Sequence, residues 1–174
     1  MQPSSSSSGA GEWRSLAPIA VPRTYHSFAL LLPDATVLAG GGGLCGTGCP
    51  QNHLDAQLFA PPYLFDGAGS RAARPKIASM SATSAKPGAA LEATTAGPVD
   101  AFALVRYGSV THTVNTDQRR VPLEATPVGG SDARRYKLTL PDDPGVLLPG
   151  YWMLFAIDKA GVPSIATTIR ILLP

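Results

Sequence analysis

Turn residues cut the second part of this chain into strand-length pieces, and that spacing constrains the fold more than any other feature. From residue 76 onward the runs Lys76–Ala78, Ala89–Ala93, Ala101–Tyr107, Gln118–Leu123, Arg135–Leu140, Gly150–Asp158 and Ser164–Leu172 read as strands. Between them stand Lys86-Pro87-Gly88, Gly129-Gly130, Pro141-Asp142-Asp143-Pro144-Gly145 and Lys159-Ala160-Gly161. Proline fixes φ and lacks an amide hydrogen, and glycine admits left-handed backbone, so both punctuate strands and break helices. About seven short strands with no helical period predict an immunoglobulin-like β-sandwich. In Gly150–Asp158 both faces are apolar, with Tyr151, Met153, Phe155 and Ile157 alternating with Trp152, Leu154 and Ala156. That pattern predicts a strand covered on both sides, its aromatics in the core.

The first part reads differently. Met1 to Gly11 is a Ser/Gly tract that cannot pack. Trp13 to Pro18 has the look of the opening of a propeller blade. A hairpin follows: a strand from about Tyr25 to Leu32, a turn at Pro33-Asp34-Ala35, and a second strand, Thr36 to Ala39, that runs into Gly40-Gly41-Gly42-Gly43. A glycine run can cradle phosphate only where a helix begins after it, and here glycine, cysteine and proline follow instead. Asp55 to Phe59 reads as a third strand, stopped by Pro61-Pro62. These strands amount to roughly one blade of sheet, which cannot bury both its faces alone. The expected division is therefore a tract at 1–12, a blade remnant at 13–65, a polar linker at 66–75, and the sandwich at 76–174, an all-β chain throughout.

Charge excludes some functions. Net charge is +2, and charged residues make up only 15% of the chain, so there is no electrostatic footprint for nucleic acid. Arg119-Arg120 and Arg134-Arg135 are isolated pairs, expected to be solvated or salt-bridged. No apolar run approaches the ~18 residues of a membrane span, and the beginning lacks the basic and apolar regions of a secretory signal.

The two cysteines are Cys45 and Cys49, in Gly43-Leu44-Cys45-Gly46-Thr47-Gly48-Cys49-Pro50. Zinc would want four ligands, and only His53 is close by. A thioredoxin-like pair has two intervening residues and precedes a helix. A small disulfide-closed loop is favoured over both, and it would imply an oxidising compartment.

The chemistry-bearing residues are few. Tyr25 and His26 stand side by side in Arg23-Thr24-Tyr25-His26-Ser27, just before the apolar run Phe28 to Leu32. His112 sits between two threonines in the long connection from Tyr107 to Gln118. Taken singly, each histidine is better read as a hydrogen-bonded structural residue, since no HxH or HExxH spacing is present. Successive side chains on a strand point to opposite faces, so Tyr25 and His26 could share a metal only on irregular backbone. The place for that is the strand's beginning, after Pro22.

Several segments together resemble the C-terminal part of the galactose oxidase and glyoxal oxidase family, the copper radical oxidases. They are Arg23–Ser27, Gly40–Cys49, Asn52–Phe59, Tyr107–Arg120 and Leu148–Phe155, with Thr111 to Arg120 and Pro149 to Phe155 the most specific. The likeness runs from about Trp13 to Pro174. It implies a β-propeller followed by an immunoglobulin-like, early-set domain, one loop of which delivers a histidine to copper. His112 matches that histidine. Tyr25 and His26 match the axial tyrosine and the other histidine, a donor set that suits Cu2+ with positions open for substrate. Tyr25 would then be the catalytic general base that takes the substrate hydroxyl proton.

The resemblance also implies a second tyrosine, crosslinked to a cysteine and carrying the radical, which comes from the upstream propeller and has no match here. Cys45 and Cys49 match the family's disulfide instead, with one more residue between them. Two readings follow. In the first, the chain is the C-terminal fragment of an oxidase that turns a primary alcohol, sugar or aldehyde into the next oxidation level and O2 into H2O2. That fragment supplies copper ligands, has the upstream propeller as its partner and should not oxidise alcohols unaided. The resemblance implies an extracellular family, while this chain shows no secretory signal and its own location stays unassigned. In the second it is a non-catalytic β-sandwich binding or adhesion module. With the neighbouring blades missing, an exposed apolar face on Phe28 to Phe59 is expected, and self-association with it.

Overall fold

The computed structural model describes residues 14–43, 47–48, 50, 52–112, 114–129 and 134–173. The Ser/Gly tract and both Cys45 and Cys49 lie outside the described residues, so the expected disulfide does too.

Strands β1 (Phe28–Leu31), β2 (Val37–Gly40) and β3 (Ala56–Phe59) form an antiparallel sheet in that order. The β1–β2 turn falls where Pro33, Asp34 and Ala35 predict it. Asp34 Oδ1 accepts from the Thr36 amide at 3.0 Å and the Thr36 hydroxyl at 2.6 Å, which closes the turn with Ala35 in left-handed backbone, φ +63. A 3-10 turn, Pro62–Leu64, leads out of the sheet.

The remaining strands are β4 (Ile77–Met80), β5 (Ser84–Ala85), β6 (Ala90–Thr95), β7 (Ala101–Arg106), β8 (Val110–Thr111), β9 (Val114–Asn115), β10 (Arg120–Val128), β11 (Arg135–Thr139), β12 (Gly150–Ile157) and β13 (Thr167–Ile171). Apart from the β8–β9 hairpin they form one curled sheet, in the order β4-β6-β11-β10-β7-β12-β13-β5. β10 makes the corner. Its first residues, Arg120 to Leu123, pair with β7, and Glu124 to Val128 pair with β11. Each half is thus hydrogen-bonded along one side, which is why Pro122 and Pro127 are tolerated in so long a strand. The sheet folds over a core of Phe102, Leu104, Leu138, Leu147, Trp152, Leu154, Ile169 and Ile171. The Trp152 indole N–H is satisfied by Leu148 O at 3.0 Å.

β12 is covered on both sides from Trp152 to Ala156, as its sequence predicts, but Tyr151 departs from that expectation. It lies near the strand's start, is 56% exposed, and carries the Arg170 guanidinium over its ring instead of entering the core. Trp152, Leu154 and Ala156 enter the sandwich core. Met153 and Phe155 turn the other way and pack with Ala35 and Leu64, against Leu31, Ala60 and Tyr63. The β1–β2 turn end of the three-stranded sheet therefore rests on the sandwich, while Leu54 and Leu58 remain exposed. Arg74 pins the two parts together, donating to Asp34 O at 2.7 Å, Pro163 O at 2.8 Å and Ser164 O at 2.6 Å. No helix among the described residues is long and apolar enough to cross a membrane.

Candidate metal centre

Tyr25 and His26 lie in a turn ahead of β1, where the sequence requires irregular backbone if the two are to share a ligand. The Ser27 amide donates to Thr24 O at 3.1 Å, and His26 takes left-handed backbone, φ +61. Histidine tolerates that region better than branched residues do. The glycine run explains how the turn is held. Gly43 N donates to Tyr25 O at 2.9 Å, and a Cβ on Gly41, whose φ is +68, would stand 2.6 Å from His26 O. Only glycine lets the end of β2 pass so close.

Arg23 secures the same turn from beneath. Its side chain is 2% exposed, and its guanidinium donates to Gly41 O at 2.9 Å, Asp55 O at 3.1 Å and Asp55 Oδ2 at 2.7 Å. The hydrogen bond from Arg23 holds the Asp55 carboxyl below the ordinary carboxylate value. His53 lies near this pair rather than with the other histidines, and its backbone amide donates to Gly42 O.

His112 heads the turn of the β8–β9 hairpin, also in left-handed backbone, φ +52. β8 lies against β1. Gly108 permits that approach, since a Cβ there would stand 2.8 Å from Leu30 Cδ2. At the root, Asn115 Oδ1 accepts from the amides of Asp117 at 3.3 Å and Gln118 at 3.1 Å. Asp117 in turn forms an ion pair with Arg106 of β7, Nε to Oδ1 3.1 Å. The Thr111 hydroxyl meets His112 Nδ1 at 2.8 Å and orients the ring.

Tyr25, His26 and His112 thus arrive at one place from segments far apart in the chain. The ring centroids of Tyr25 and His26 are 4.1 Å apart, those of His26 and His112 4.6 Å, and those of Tyr25 and His112 5.8 Å. A metal–nitrogen bond of ~2.0 Å, with about 1.1 Å from nitrogen to ring centre, sets two cis imidazoles about 4.5 Å apart. The two imidazoles fit a tetragonal metal ion at that spacing. No cluster of three or more His, Cys, Asp or Glu that could hold a metal is found among the described residues, and what converges here is two imidazoles and a phenol. All three side chains are exposed, Tyr25 at 46%. A surface cavity of about 530 Å³ lies elsewhere, lined by residues that include Tyr63, Phe65, Asp66 and Asp158.

Sequence reasoning named the three rings but missed their supports. Arg23 stands in Arg23–Ser27 and Asp117 in Thr111–Arg120, yet nothing local announces their partners, Asp55 and Arg106.

Residues 74–171 match the family described as galactose oxidase-like, early set domain. A galactose oxidase of Gibberella zeae is 52% identical over 154 residues, 88% of this chain and 22% of that protein. An aldehyde oxidase of Vitis pseudoreticulata is 33% identical over 168 residues, 90% of this chain and 31% of that protein. A solved structure, described as a novel fungal alcohol oxidase of the AA5 family in complex with copper, superposes with a TM-score of 0.88 at 46% identity. It covers 94% of this chain and 34% of its own. The chain therefore spans between about a fifth and a third of the length of these relatives.

Proposed function

The chain belongs to the galactose oxidase-like, early set domain family, and from that premise we propose that Tyr25, His26 and His112 supply three ligands of a copper(II) centre in an alcohol or aldehyde oxidase. The observation that carries the reading is the meeting of the three rings, with the two imidazoles 4.6 Å apart. Nothing in the packing of a β-sandwich requires a phenol and two imidazoles to converge at an exposed turn. The left-handed backbone of both histidines supports the same reading, because such positions concentrate at ligand sites.

The overall reaction proposed is RCH2OH + O2 → RCHO + H2O2, or the corresponding step from a hydrated aldehyde to its acid. Copper bound here would supply a Lewis acid for the substrate oxygen and a partner for one-electron transfer. Within this chain, His26 and His112 bind, and the Tyr25 Oη takes the substrate hydroxyl proton. The redox-active crosslinked tyrosine that the family resemblance implies, and the walls that select substrate, would come from further protein seated over the exposed side of Tyr25. Residues 13–65 would then be the last propeller blade and 76–174 the early-set domain, joined through 66–75.

Titration of this chain with copper(II) sulfate, followed by electron paramagnetic resonance, tests the reading. The parent is expected to show nitrogen hyperfine structure from two imidazoles. His112→Ala should remove most of the binding, and His26→Ala likewise. Equal binding by the double variant would sink the assignment and favour a binding module without a copper centre.

A further inference from the structure

We propose that two arginine–aspartate pairs, Arg23–Asp55 and Arg106–Asp117, are positioning residues that hold His26 and His112 at the separation a shared copper ion requires. This rests on the copper reading above, and it concerns what sets the site's dimensions rather than what fills it. Each histidine sits on a short irregular segment, a turn in one case and the tip of a hairpin in the other. Both rings are exposed, and neither His26 nor His112 packs into a hydrophobic cluster. Each is tied at its root to a strand by one guanidinium. Arg23 joins the turn to the end of β2 and the start of β3. Arg106, at the end of β7, closes the base of the hairpin through Asp117.

Stability alone does not account for these arginines. Arg23 Nε and Arg106 Nη1 are both buried with no hydrogen-bond partner among the described residues. A buried N–H left unpaired is costly, and ion pairs whose carboxylates are 52% (Asp55) and 28% (Asp117) exposed add little to stability. What a guanidinium offers instead is several donors in a rigid plane, which fixes angles as well as distances. Gly150 is fitted to the same purpose: a Cβ there would stand 3.3 Å from Arg106 Nη2. Outer residues that orient metal-binding histidines act in this manner, and losing them weakens metal binding without removing a ligand.

The test uses the 174-residue chain with and without copper(II) sulfate. In Asp117→Asn and Arg23→Lys, copper affinity should fall about 10–100-fold, with altered nitrogen hyperfine coupling. In the metal-free protein, nuclear Overhauser contacts among the Tyr25, His26 and His112 rings should weaken. Amide exchange in β7, β11 and β12 should stay at parent levels. Should Asp117→Asn fail to fold, Arg106→Lys keeps the charge, loses the fork, and is read in the same way. Parent-like ring contacts and copper affinity in these variants would overturn the proposal, as would losses that merely track faster exchange throughout the sandwich. If His26→Ala and His112→Ala leave copper binding untouched, the copper reading fails by itself, and the metal-free ring contacts still decide whether the pairs set the geometry.

Discussion

His26 and His112 share a backbone state as well as a place: both have left-handed φ, +61 and +52, and their ring centroids are 4.6 Å apart. The strain is tolerable for histidine and costly for a branched side chain. His26→Val should therefore lower the unfolding free energy by about 1 kcal/mol more than His26→Asn, since asparagine enters this region readily. Urea denaturation of the two variants side by side measures the difference, and equal midpoints would mean the turn carries no such strain.

Gly41→Ala is expected to be worse than its size suggests. The new methyl would face His26 O at 2.6 Å from a position with φ +68. A loss of about 1–3 kcal/mol should appear in urea unfolding. Copper affinity should drop as well, because the displaced atom belongs to the turn that bears His26.

Arg74 bonds three carbonyl oxygens on two separate parts of the fold. Arg74→Ala should cost about 2–4 kcal/mol, and Arg74→Lys should restore little, because an ammonium cannot span three acceptors in one plane. Thermal unfolding of the two variants checks this. Full rescue by lysine would show that only the charge matters.

Asp34 should leave a mark on the acid limb of stability. The Thr36 hydroxyl, above all, holds its carboxyl below the ordinary value of 3.8. A depressed carboxyl stabilises the fold at pH values above that ordinary value. The contribution is lost as pH falls through the lower, folded value. Parent protein should thus lose more stability than Asp34→Ala between roughly pH 5 and pH 2. The carboxylate is exposed, so screening keeps the difference below about 1 kcal/mol. Parallel acid limbs for the two proteins would contradict this.

Leu58 on β3 is 66% exposed, and Leu54 projects fully into solvent. β3 is also the outer strand of its sheet. The chain should self-associate through this edge at high concentration. Leu58→Lys should return it to a monomer in sedimentation velocity. A parent that is already strictly monomeric would dispose of the idea.

Much of this architecture can be read from residues alone, and the exceptions have physical causes. The run Gly150 to Ile157 announces a doubly covered strand because both faces are apolar. Asp34 and Pro33 announce the hairpin turn because a short acidic side chain caps the backbone after it. β5, β8 and β9 are two-residue strands, too short to display any period. β10 runs on to Val128, beyond the expected stop near Leu123, because its two halves pair with different neighbours, a tertiary fact with no local trace. β1 begins at Phe28 rather than Tyr25, because Tyr25 and His26 are drawn into a turn by glycines that follow β2. Arg119 is expected to be solvated or salt-bridged, yet it makes exposed hydrogen bonds to Gly145 O and Val146 O, more than twenty-five residues away in the chain.

The two-sided burial of β12 carries a mechanical meaning. His26 is attached to the three-stranded sheet and His112 to the sandwich, so whatever the arginine pairs fix locally is carried on two bodies that Met153 and Phe155 help to seat against each other. Those side chains behave as the shim between two jaws. Trimming Phe155 should shift the His26 and His112 rings relative to each other without touching either one.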